Sequence, residues 1–131
     1  MAILVTIAAT LSAAIHVLIF YWESLAWTRP AVWKRFGLAS AEQAETTKAF
    51  AYNQGFYNLF LAIGALVGSV MYGLGATDAG FALGLFSVSC MFAASIVLVT
   101  SGPGRIRAAA VQGFFPLITI VLYLLSRAAE G

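Results

Sequence analysis

His16 and Glu23 are the residues on which chemistry could rest. Apart from Tyr21 they are the only ionisable side chains in the long apolar run from Ala2 to Trp27. Seven residues are close to two helical turns, so on one helix both groups point to the same side. A carboxylate inside a membrane-spanning helix is costly and usually faces the bundle interior, where it marks a substrate, ion or proton path. An imidazole and a carboxylate on one face suit proton transfer to or from a bound molecule. Four amide side chains, Asn53, Gln54, Asn58 and Gln112, with Tyr57, could orient a polar head group beside them. Trp27 and Arg105 complete the expected lining.

Composition sets where such a site must lie. The 131 residues are 62% hydrophobic and 9% charged, with a mean hydropathy of +0.94. A soluble domain carries about 25% charged residues, so this chain cannot cover a water-facing surface. A net charge of +2 with no basic stripe gives no electrostatic footprint for nucleic acid. The single cysteine, Cys90, lies in an apolar run and reads as a small buried residue. Zinc needs three or four His, Cys or carboxylate ligands, and haem needs ligation that one histidine cannot supply twice. No metal or other cofactor is expected. The first apolar run lacks a basic leader and is too long for a signal peptide, so it reads as a retained span.

The fold class expected is an all-α membrane protein. It is a four-helix antiparallel bundle in one domain over residues 1–131, with spans at about 2–27, 47–74, 79–101 and 106–127. Pro116 falls inside the fourth span and should kink it or free a carbonyl. In the first loop, Ala31 to Gly37 reads as a short amphipathic interfacial helix, with Trp33 and Phe36 at head-group level and Lys34 and Arg35 toward phosphates. Ser40 and Gln43 form a capping-box pattern that opens the second helix early. The third span shows one small-residue packing face: Gly80, Gly84, Ser87, Met91 and Ser95.

Basic residues predict the orientation. Arg29, Lys34, Arg35, Lys48, Arg105 and Arg107 fall in the first and third loops or beside them, against Arg127 alone at the other end. Those loops are therefore expected in the cytoplasm and both termini outside, in a cell inner membrane. Glu23, the Asn53–Asn58 segment and Gln112 then share the cytoplasmic half of the bilayer, with His16 deeper. Polar groups unsatisfied in lipid cost several kcal/mol each, so they are expected to meet in a pocket. Plainer readings compete. Glu23 could pair with Arg29, Arg105 or Lys48, His16 could be a neutral core histidine, and the amides could only join helices. Trp22, Trp27 and Trp33 could form an interfacial belt.

The same residues carry a resemblance. His16, the FYWESLAW segment after it, the loop TRPAVWKRFGL, the segment AEQAETTKAFAYNQGFYNLFLAIGAL and the later VQGFFP resemble the bacterial membrane-protein family catalogued as domain of unknown function 1304. The His–x6–Glu spacing, the NQG-x-YN segment and the Gln112-Gly113 pair are its strongest signals, and it covers nearly the whole chain. The chain departs from the family pattern at Tyr52, where alanine is common, and in the distance of Pro116 from Gln112. The resemblance implies a small four-helix inner-membrane protein and no activity.

Three functions fit these residues. The first is a polar pocket that binds or converts a small amphiphilic or apolar, lipid-like molecule, with His16 and Glu23 as a proton-transfer pair. The second is a proton-coupled small-molecule exporter working as a homo-oligomer, with Glu23 lining a shared cavity. The third is an accessory subunit with no chemistry, in which Glu23 is consumed by a basic side chain.

Overall fold

The computed structural model describes residues 1–130, and it is helical almost throughout. Helix α1 spans Ala2–Phe20 and continues as one π turn, Tyr21–Leu25. The short α2 follows at Pro30–Arg35, then α3 at Ala41–Gly73, α4 at Thr77–Thr100 and α5 at Ile106–Glu130. Four helices are long and apolar enough to cross a membrane: Ala2–Leu25, Ala41–Gly73, Thr77–Thr100 and Ile106–Ala129. The protein is thus an all-α bundle of four apolar helices with a short helix between the first two.

Local chemistry explains the boundaries. Proline supplies the first residue of α2, where its fixed φ suits a helix start and its missing N–H costs nothing. Ser40 caps α3 by accepting from the Gln43 backbone N–H at 3.2 Å, while the Gln43 side chain accepts from Ala39 N–H at 2.9 Å. The box therefore closes one residue further back than the standard pattern. The opening of α3 at Ala41 carries its first turns beyond the apolar stretch. Gly37, with φ +78°, turns the chain out of α2 in a conformation that side chains with a Cβ rarely adopt.

The four long helices form a ring. Helix α1 packs against α3 and α5, and α4 packs against the same two, while α1 and α4 scarcely meet. Lipid is as apolar as leucine, so burial of apolar surface cannot drive helix pairing inside a bilayer, and close packing must. Small residues supply it. A Cβ on Gly68 would lie 2.3 Å from the backbone N of Gly84, and one on Gly80 would lie 2.3 Å from the backbone N of Tyr72. The α3 and α4 backbones therefore touch. The inward face of α4 consists of Gly80, Gly84, Ser87, Val88, Met91 and Ser95, which includes every residue of the predicted packing face.

At the bundle centre, Val5, Ala62, Ala65, Val88, Met91 and Tyr123 pack in one cluster. The α3–α5 diagonal is bridged where Tyr72 and Ser126 share a hydroxyl hydrogen bond of 2.7 Å and Tyr72 stacks edge-on against Tyr123 at 5.4 Å. Large apolar side chains such as Ile3, Phe60, Phe86 and Val97 face outward, as a bilayer requires. Helix α2 lies differently from the sequence expectation. Val32 and Trp33 are buried in the protein, and Trp33 is 8% exposed. Phe36 stacks on Trp27 at 4.9 Å and on Trp22 at 6.4 Å, and Arg35 lies 4.5 Å over the Trp22 ring. These aromatic and cation–π contacts hold α2 against the end of α1 instead of leaving Trp33 to the head groups.

Candidate functional site

The site begins with the π turn. Ala26 N–H donates to the Tyr21 carbonyl at 3.0 Å, a five-residue step in place of the usual four. π turns often accompany functional sites because they re-aim side chains. Here the wider turn rotates Glu23 away from the register that an unbroken α-helix would share with His16. Glu23 is partly buried and meets α3, where Asn58 Nδ2 donates to its Oε2 at 2.8 Å. Asn58 is 7% exposed and gives a second, longer bond of 3.3 Å to the Gln54 carbonyl.

Gly55 makes this meeting possible. A Cβ there would lie 2.1 Å from Ser24 Oγ, 3.0 Å from Ser24 N and 3.1 Å from Glu23 Cβ. The absent side chain lets the π turn lie directly on α3. Ser24 Oγ then donates to the Tyr52 carbonyl at 2.8 Å, so two consecutive residues of the turn are tied to successive turns of α3.

Among the described residues, ion pairs join Lys48 to Glu45 and Arg127 to Asp78, and no basic side chain lies within 4 Å of Glu23. Arg29 donates to Tyr21 Oη at 2.9 Å, and Arg105 to Ser101 Oγ at 3.0 Å. The carboxylate is therefore held by an amide and not by a cation.

His16 is fully buried one turn beyond Ser12. Its Nδ1 lies 2.9 Å from the Ser12 carbonyl. A carbonyl only accepts, so Nδ1 carries a proton, and in the neutral ring the lone pair then falls on Nε2. Nε2 is buried with no hydrogen-bond partner among the described residues. Each buried polar atom of this kind calls for an explanation such as a catalytic role or a bound group.

Helix α5 completes the neighbourhood. Ser12 and Thr119 share a hydroxyl contact of 3.3 Å, which fixes the relative depth of α1 and α5. Pro116 is fully buried in α5 and has no N–H, so the Gln112 carbonyl loses its helix partner. At about 1.5 Å rise per residue, His16 lies about 6 Å from the Ser12 level and Gln112 about 10 Å from the Thr119 level, toward the same end. Gln112 thus sits between His16 and Glu23 in depth, with its side chain half-buried.

Other candidates stand apart. Asn53, Gln54 and Tyr57 are exposed on the outer side of α3. The inward stripe is Ala51, Gly55, Asn58, Ala62 and Ala65, which selects Asn58 alone from the polar segment. Small residues at helical spacing win the inner face because they allow the close approach, and Asn58 alone of the amides shares their spacing. Arg105 lies on the α4–α5 loop, with Gly102 packed against its guanidinium. His16 and Glu23 make no hydrogen bond to each other: one bonds within α1, the other across to α3.

Trp27 serves the scaffold around the turn. Its Nε1–H is shared between the Ala44 carbonyl at 3.0 Å and Thr47 Oγ1 at 3.2 Å. Trp27→Phe keeps most of the ring packing and loses these bonds. The expected cost is about 1 kcal/mol of stability, to be read by circular dichroism during thermal unfolding in detergent. An unchanged midpoint would show that the bonds contribute nothing.

Ser24 and Gly55 were not singled out as site residues from the sequence. The signal for Gly55 was its four-residue spacing from Ala51, which marks a contact stripe, and Ser24 had none. Among the described residues, no group of three His, Cys, Asp or Glu side chains could hold a metal. A surface groove between α4 and α5 and another beside Glu45 and Tyr52 both lie apart from His16 and Glu23.

These features define a class: a four-span membrane bundle with a carboxylate–amide pair at one end and a buried imidazole below it. The chain belongs to the family described as protein of unknown function DUF1304, which matches residues 10–124. No curated protein and no solved structure matches it.

Proposed function

We propose that Glu23, Asn58 and His16 form a site for the polar head of a small amphiphilic or apolar molecule, with Glu23 and His16 as its proton-transfer groups. One observation carries this reading: the intramembrane carboxylate is hydrogen-bonded by an amide but has no cation, and the imidazole beneath it keeps an unpartnered Nε2. A purely structural carboxylate at the end of a span would be expected to pair with one of the nearby basic residues. Asn58 donates to Glu23 Oε2 and fixes the direction of the carboxyl group. The Gln112 carbonyl freed by Pro116 adds an acceptor between the two groups in depth.

The two groups lie about 10 Å apart along the axis at the usual rise per residue. A proton therefore passes between them only through the bound molecule or an ordered water. The site lies at the end of the bundle that carries six of the seven basic residues, so the reading places it in the cytoplasmic leaflet of an inner membrane, with both termini outside. In the exporter reading Glu23 faces a shared two-fold cavity. Its bond to Asn58 of the same chain favours the single-protomer site.

Native mass spectrometry with lipid analysis of the detergent-purified protein tests the proposal. Wild type is expected to retain one specific small molecule that both Glu23→Gln and His16→Ala lose while remaining folded by circular dichroism. The same non-specific lipid profile in all three proteins would reject it.

A further inference from the structure

A second feature lies away from Glu23 and stands independently of that reading. A groove of about 320 Å³ runs between Phe92, Ile96 and Val99 of α4 and Ile106, Ala110 and Leu117 of α5. Its lining is almost wholly apolar, and Ile96, Val99, Ile106, Ala110 and Leu117 are open to the surroundings. From Ile106 to Leu117 the groove follows α5 for about 16 Å at the usual helical rise. Half of a roughly 30 Å hydrocarbon core is about the same length. The groove is thus one leaflet deep.

Its outer end carries charge. Arg105 immediately precedes Ile106, and its guanidinium is folded back on the loop at the end of α4, donating to Ser101 Oγ at 3.0 Å. Arg107 is exposed on the first turn of α5. Among the described residues, neither arginine has a carboxylate within 4 Å. We propose that this groove seats one acyl chain of an anionic phospholipid, with the lipid phosphate held by Arg105 and Arg107.

The chemistry is complementary at both ends. Arginine presents planar, paired donors that match phosphate oxygens. The apolar channel below begins at the depth where an acyl chain leaves its head group. The volume is at the lower limit of small-molecule sites, enough for one chain and not for a whole lipid. A second copy of the protein is a poorer occupant. In a two-fold contact between copies of like orientation, Arg105 and Arg107 would meet their own counterparts at one depth, like charge against like charge.

The test is native mass spectrometry of the full chain in detergent, titrated with phosphatidylglycerol and with phosphatidylcholine of identical acyl chains. The expected result is one phosphatidylglycerol bound in preference, by about fivefold for each arginine engaged. Arg105→Gln with Arg107→Gln should abolish the preference while leaving weak binding of both lipids. Ala110→Leu, which fills an exposed part of the groove, should weaken binding of both, and circular dichroism confirms that each variant is folded. Equal binding of the two lipids by wild type would overturn the proposal. So would a preference that survives the double arginine variant, or lipid binding untouched by Ala110→Leu. A lipid-free dimer disrupted by Ala110→Leu would assign the groove to a second copy instead.

Discussion

Gly68→Ala is expected to destabilise the protein by about 3 kcal/mol, at the upper end of what overpacking a well-packed core costs. The added Cβ would lie 2.3 Å from Gly84 N, 2.5 Å from Gly84 Cα and 3.1 Å from the Gly80 carbonyl oxygen. All three are backbone atoms, so no side chain can rotate out of the way and α3 must separate from α4. Alanine is the better helix former by about 1 kcal/mol, which offsets only part of this. Two neighbours provide the scale. At Gly64 the new Cβ meets Ser87 Oγ at 2.4 Å, and a serine hydroxyl can turn, so Gly64→Ala should cost less. At Gly73 the nearest atom is Thr6 Oγ1 at 3.9 Å, ordinary contact, so Gly73→Ala should be neutral or slightly stabilising. Tryptophan fluorescence during thermal unfolding in detergent would rank the three. A Gly68→Ala protein as stable as Gly73→Ala would mean that the α3 and α4 backbones do not touch.

The second large effect concerns Asn58. Asn58→Ala removes the donor to Glu23 Oε2 and leaves a partly buried carboxylate without its hydrogen bond. The expected loss is about 2 kcal/mol, since an orphaned buried polar group costs about 1–3 kcal/mol and a charged one more. Glu23→Gln should cost about 1 kcal/mol or less, because an amide oxygen still accepts from Asn58 at the same place. Removing both groups with Glu23→Leu and Asn58→Leu should restore part of the stability lost in Asn58→Ala. The pair would then be coupled, as residues in contact are. Independent, additive effects would show that the 2.8 Å bond does not carry the interaction. The distinction bears on function. If the stable apolar pair also loses the specific co-purified molecule, the polar pair is kept for binding and not for folding.

Much of the framework could be read directly from residue types. Four apolar runs of spanning length, the Ser40 cap and the packing face from Gly80 to Ser95 each depend on local chemistry or on helical spacing alone. Glu23 and Asn58 could be named as residues that must find partners, because a polar group in lipid cannot go without one. Who the partners are was a different question. Seven-residue spacing put Glu23 and His16 on one face, but the turn between them is a π turn, and nothing in the composition of Tyr21–Leu25 announces it. The turn is held in place by Ser24 and Gly55 meeting across two helices, a contact that no single helix encodes.

The amide segment shows the same division. The sequence placed Asn53, Gln54, Tyr57 and Asn58 on two turns of one helix. Which of them faces inward depended on how α3 rolls between its neighbours, and that roll was decided by where backbones could come closest, at Gly55 against the π turn and at Gly68 against α4. Trp33 likewise was legible as an amphipathic anchor, yet it is buried in the protein, on a helix whose end is held to α1 by Phe36 stacking on Trp22 and Trp27. The sequence by itself determined the number of long apolar helices and which side chains could not remain alone in a membrane. The tertiary structure decided which of them meet, because interhelical contacts are set by the fit of whole surfaces and not by periodicity along any one of them.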